Sequence, residues 1–156
     1  MLINVFRMIE DLGFIAQVRS SIPLYATVNA LHILGLATLI GAVLTFDLRA
    51  SGLWKRDRWR EGLDVAIPVA ATGLGLAIAT GIILFAVRGS HYATMPVFLV
   101  KIAILVLGLV NIVICHGFIR RSRAALPTLG IRISAAISAL IWASALFAGR
   151  WIAFAV

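Results

Sequence analysis

The sequence predicts an all-α membrane protein: a four-helix up-down transmembrane bundle preceded by an N-terminal amphipathic interfacial helix. Of its 156 residues, 62% are hydrophobic, and the mean hydropathy of +1.07 is far above that of a soluble domain, which runs nearer half apolar. Apolar segments long enough to cross a bilayer, which takes about 20 residues, recur four times. Charged residues gather in short blocks between them, as in polytopic membrane proteins. A single domain over 1–156 accounts for the whole chain.

Residues 2–19 place Leu2, Val5, Phe6, Ile9, Leu12 and Ala16 on one helical face and Arg7, Glu10, Asp11 and Gln17 largely on the other. Such a segment is expected to lie along the interface. Glu10 and Asp11 also interrupt what would otherwise be the apolar core of a signal peptide, so none is read here. Ser20, Ser21 and Pro23 then start a new helix. Crossings are expected at 22–47, 65–87, 96–119 and 133–156. Short connections between them favour antiparallel neighbours. In the second crossing Gly73, Ala77 and Gly81 recur at four-residue steps, a small-residue stripe that brings helices close in lipid and, as the less common use, leaves room for a flat ligand.

The basic residues set the orientation. "RASGLWKRDRWR" contains Arg49, Lys55, Arg56, Arg58 and Arg60, and "RRSRAALPTLGIR" contains Arg120, Arg121, Arg123 and Arg132. Two crossings separate these loops, so the positive-inside rule places both in the cytoplasm. The N-terminal helix, the 88–95 loop and the C-terminus then face the periplasm of a bacterial inner membrane. A net charge of +8 distributed this way serves contact with anionic membrane lipids and argues against a nucleic-acid partner. Trp54, Trp59 and Trp151 fall near the interfaces and are expected to join an aromatic belt. Cys115 is the only cysteine, which excludes a disulfide framework and a cysteine metal site.

Ionisable groups inside crossings are costly and by default point to function. At about 1.5 Å per residue, His32 lies roughly 13 Å along its helix from Pro23. Lys101 lies roughly 7 Å beyond Pro96, and Arg150 roughly 9 Å before the C-terminus, on the same rise. Three helices thus carry a basic group into the outer half of the bilayer, with no acidic residue expected at that level. An anionic guest would meet this imbalance. Haem b fits: neutral His32 ligates iron, while Lys101, Arg150 and Arg88 hold the propionates. His91, in "RGSHYATMP", is on the correct side to complete the iron. His116 lies nearer the opposite end. The plainer reading of His32 is a hydrogen bond to a neighbouring helix. Zinc and copper are poorly served, because the three histidines are separated and Met1, Met8 and Met95 form no cluster.

A second polar layer, Asp47, Arg49, Asn111, His116 and Arg120, is expected at the cytoplasmic edge. There Asp47 would pair with Arg49, His116 or Arg120. Structural anchoring is its first reading; a proton entry or quinone-headgroup site is the sharper alternative.

"NALHILG", the "DLR" ending the first crossing, "PVFLVKIAIL", "NIVICH" and "GRWIAF" together resemble an uncharacterised family of small four-helix bacterial membrane proteins, over nearly the whole chain. A looser likeness extends to HemJ-type protoporphyrinogen oxidases and copper-resistance D membrane domains. The HemJ-type pattern has a histidine in an early crossing and a lysine in a later one. Matched here, it selects His32 and Lys101 and implies haem ligation and tetrapyrrole binding, although the tryptophan-rich pieces of that family have no counterpart. Three functions follow as expectations. The first is a haem b subunit passing electrons between a quinone pool and a partner protein. The second is a non-redox membrane anchor in a larger complex, and the third a protoporphyrinogen oxidase. No nucleophile–base pair, phosphate loop or catalytic carboxylate pair is present, so any redox chemistry must come from a cofactor. A chain this small is expected to be a homo-oligomer or one subunit of a larger assembly.

Overall fold

In hydrocarbon a backbone must satisfy its own polar groups, so long apolar segments become helices. The computed structural model describes residues 2–55, 58–60, 63–152 and 154, with side chains from Phe6 onward. Among these residues there are seven helices and no strand: α1 (Leu2–Glu10), α2 (Gly13–Ser20), α3 (Ile22–Ser51), α4 (Leu63–Val87), α5 (Gly89–Tyr92), α6 (Pro96–Arg121) and α7 (Leu129–Ile152). Four of them, α3, α4, α6 and α7, are long and apolar enough to cross a membrane. This is a multi-pass membrane protein.

The boundaries differ from the sequence expectation for local reasons. Ser21 caps α3, its hydroxyl accepting from Leu24 N–H, with Pro23 in the first turn. That helix continues past Asp47 to Ser51, where Gly52 at φ 92° turns the chain and returns its N–H to the Arg49 carbonyl. The last crossing starts earlier, at Leu129, and ends at Ile152; residues 153, 155 and 156 of the expected 133–156 segment lie outside the described residues. The N-terminal arm is two helices instead of one. Leu12 adopts an extended ψ of 133°, and the break allows each half to find its own contacts.

The long helices pack in the order α4, α3, α7, α6. Where α3 crosses α4, a Cβ on Gly35 would stand 2.7 Å from Ala77 N, and one on Gly73 would stand 2.5 Å from Leu39 N. Backbones approach this closely only where side chains are missing, and in lipid such dispersion contact replaces hydrophobic driving force. The α6–α7 seam uses Gly108, which faces Ile141 and Trp142. A reciprocal pair also joins it: Asn111 donates to Ser134 O at 3.1 Å and accepts from Ser134 Oγ at 3.0 Å. By contrast α4 and α6 share no extensive packing. A cleft therefore opens between them, with α3 and α7 behind it.

The arm closes one end of the bundle. Ile15 and Val18 of α2 pack with Val28, Ala86 and Val87. Phe6 meets Phe85 edge-on at 5.5 Å, and Phe85 stacks on Phe98 at 5.2 Å. Glu10 fastens the arm by accepting the Ser90 N–H at 2.7 Å.

The basic loops meet at the other end. Trp59 is 1% exposed; its Nε1–H donates to Ala125 O at 3.0 Å, and Arg60 lies 4.3 Å over its ring. Arg60 also donates to Ser122 O, and Arg132 to Ser51 O at 3.2 Å. Trp59 is thus no aromatic-belt residue but the pin between two loops, because Ala50, Ile131 and Ala135 wall in its ring. Trp54 and Trp151 are exposed, as a belt requires.

Candidate functional site

Polar side chains inside the helical layer fall into two groups. At the arm end, His32 on α3 turns its half-buried ring onto α4. Its Nδ1 lies 2.9 Å from Ala77 O and 3.1 Å from Thr80 Oγ1. The Thr80 hydroxyl donates to Leu76 O at 2.6 Å, so toward the imidazole it can only accept. Ala77 O accepts by nature. Nδ1 therefore carries the proton, and the Nε2 lone pair has no partner among the described residues. Gly81 makes room for the ring: a Cβ there would stand 3.1 Å from His32 Cε1. The small-residue stripe is thus divided, Gly73 and Ala77 serving packing and Gly81 serving the histidine.

Lys101 reaches from α6 toward α7. Its Nζ lies 3.2 Å from where a Cβ on Gly149 of α7 would stand. No carboxylate pairs with it among the described residues. His32 thus faces α4 and Lys101 faces α7. Arg150 is exposed, its guanidinium 5.1 Å over the Phe154 ring. Arg88 is exposed at the start of α5. His91 is exposed on α5 with its ring tilted beside Tyr92, and it makes no contact with His32.

At the basic-loop end, the cleft between α4 and α6 holds a cavity of about 220 Å³. Apolar residues of α4 such as Ala70 and Leu74 form one wall, while Asp47, Asn111, Cys115, His116 and Ser138 supply the polar part of the lining. Asp47 is 3% exposed. It takes a hydrogen bond from Ser138, and its Oδ2 has no partner. The expected ion pair of Asp47 with His116 or Arg120 does not form: Arg120 is exposed in the last turn of α6, and Ser138 takes the carboxylate instead. A second cavity of about 340 Å³ lies beside Arg49 and Trp59. Neither includes His32. Among the described residues no group of three or more His, Cys, Asp or Glu side chains is placed to hold a metal ion.

Sequence reasoning missed Thr80, Ser134 and Ser138. Ser134 and Ser138 are one helical turn apart in "ISAAISAL", so their shared face was a readable signal. Which helix that face meets was not.

A model of a family of unknown function, DUF6644, matches residues 6–155. The chain belongs to the DUF6644 family. No curated protein and no solved structure matches it, and nothing in these comparisons supports the looser likeness to HemJ-type oxidases or copper-resistance D domains. For this DUF6644 chain the site geometry has to carry the functional reading.

Proposed function

We propose that the protein is an integral haem b-binding subunit of the bacterial inner membrane, passing electrons between a quinone pool and a partner protein. One observation carries this reading. His32 is held by Nδ1–H on a backbone carbonyl, which fixes the ring and presents the Nε2 lone pair, the arrangement by which proteins orient metal-ligating histidines. A haem bound there supplies one-electron chemistry that no side chain of this chain provides. His32 would hold its iron, and Lys101, which has no carboxylate partner among the described residues, would hold a propionate. Arg150 and Arg88 reach the propionates only by leaving their present surface positions, and His91 reaches the iron only by turning inward. Both basic loops are tied together at one end of the bundle, and the positive-inside rule makes that end cytoplasmic, with both termini in the periplasm.

Oxidised and dithionite-reduced spectra of protein purified from haem-replete cells test the reading. A Soret band and reduced b-type bands are expected. They should vanish in His32→Ala while the protein remains in the membrane, whereas Lys101→Ala should weaken haem retention without removing the ligand. Wild-type protein lacking any Soret band would sink the proposal. His32 would then be a cross-bundle hydrogen bond in a non-redox membrane anchor, and the oxidase alternative would fall with the haem.

A further inference from the structure

The cavity at the basic-loop end is chemically distinct from the His32 site. Its α4 wall is apolar, and its volume of about 220 Å³ suits a single six-membered ring with small substituents. Along α3 it extends from Leu39 to Asp47, roughly 12 Å at about 1.5 Å per residue. That is long enough for a ring and the first part of an aliphatic tail. The polar residues differ in what they have left to offer. Asn111 is committed to Ser134 through both its oxygen and its nitrogen, and Ser138 is committed to Asp47. Two further polar groups have no partner at all among the described residues. One is Asp47 Oδ2, fully buried and without a donor; the other is the His116 ring on α6, which lines the cavity with no hydrogen-bond partner among the described residues.

A buried carboxylate oxygen without a donor is expensive, and a cleft open toward lipid admits only molecules that partition there. The two open groups stand on different helices, with an apolar slot beside them. A flat lipophilic ring with hydroxyl or carbonyl oxygens answers this pattern, one hydroxyl donating to Asp47 while an oxygen accepts from His116.

We infer that the cleft between α4 and α6 is a binding site for the ring of a membrane quinol, with Asp47 Oδ2 accepting a hydrogen bond from its hydroxyl. This deepens the electron-transfer reading by giving the quinone pool a docking place, but it uses none of the residues around His32.

Cys115 lines the same cavity and is the sole cysteine, so its alkylation reports occupancy. In lipid nanodiscs, decylubiquinol should slow N-ethylmaleimide labelling of Cys115 saturably, about fivefold or more. Ala70→Phe, which fills the slot from α4, should abolish this protection. Asp47→Asn, which keeps the side-chain shape, should raise the quinol concentration needed about tenfold, the loss of one hydrogen bond to a charged group. Protection should persist in His32→Ala. The inference is overturned if saturating decylubiquinol leaves labelling unchanged, if Ala70→Phe remains protected, or if Asp47→Asn responds as wild type. Protection by tetraphenylphosphonium but not by the quinol would overturn it equally, replacing the quinol by a lipophilic cation. A missing Soret band with intact protection removes the haem reading alone; a Soret band without protection removes this one alone.

Discussion

The carbonyl oxygen of Gly73 lies 3.0 Å from the point where a Cβ on Gly35 would stand, and the Gly35 oxygen lies 2.9 Å from the equivalent point on Gly73. Each glycine is the space the other helix occupies. A methyl at either would meet backbone, which cannot rotate away, so α3 and α4 would have to separate. Gly35→Ala and Gly73→Ala should each destabilise the protein by about 1–3 kcal/mol or more in thermal unfolding in detergent. Gly41→Ala and Gly75→Ala, where nothing lies within 4 Å, should be near neutral. Equal behaviour of the two pairs would refute the crossing.

The proton position on His32 is open to direct measurement. Nitrogen chemical shifts should report a neutral ring protonated at Nδ1. Thr80→Val removes one acceptor but leaves Ala77 O, so the tautomer should survive. Gly81→Ala crowds Cε1 and should turn the ring off α4, with loss of haem absorption if haem is bound. A proton found on Nε2 of the unliganded protein would contradict the assignment from Ala77 O and Thr80.

Trp59 joins the two basic loops, and its variants separate hydrogen bonding from packing. Trp59→Phe loses the bond to Ala125 O and should cost about 1 kcal/mol. Trp59→Ala also empties a buried site and should cost about 3–5 kcal/mol. Unfolding midpoints and trypsin cleavage of the 122–128 loop would check this. Cleavage unchanged in Trp59→Ala would show that Trp59 does not hold that loop.

The arm should release in acid. Ser90 N–H, donating to Glu10, holds that carboxyl below its ordinary value of 4.5. A carboxylate lowered by docking favours the docked state above that ordinary value. The contribution disappears as pH falls through the lower, docked value. Spin labels at Met8 and Thr94, in a Cys115→Ala background, should give a narrow distance distribution at neutral pH that broadens below about pH 4.5. Glu10→Gln should remove the pH dependence. Broadening already at about pH 6 would point to another group.

Much of the fold is legible in the amino-acid sequence. Apolar length alone dictates four crossings, because a single segment satisfies its own backbone in lipid only as a helix, and Ser21 and Pro23 mark the start of α3 by local chemistry. The arm was read as one helix because its periodicity runs unbroken; its division at Leu12 follows from tertiary contacts that draw Ile15 and Val18 onto α3 and α4.

Which residues meet was a different matter. Depth along each helix follows from residue counts, so the shared level of His32 and Lys101 was readable. Rotation about the helix axis was not, because helices apolar on nearly every side carry little facing signal. Only the packed bundle decided that Ala77 O and Thr80 together fix the His32 proton, that Arg150 and His91 stand at the surface, and that Ser138 reaches Asp47 in place of an arginine. The same packing order, α4 to α3 to α7 to α6, leaves the cleft open at Asp47. The sequence by itself determined which four segments are long and apolar enough to cross and where along each the polar groups fall; the tertiary structure decided which of those groups face one another, because that depends on backbone approach at Gly35, Gly73 and Gly108.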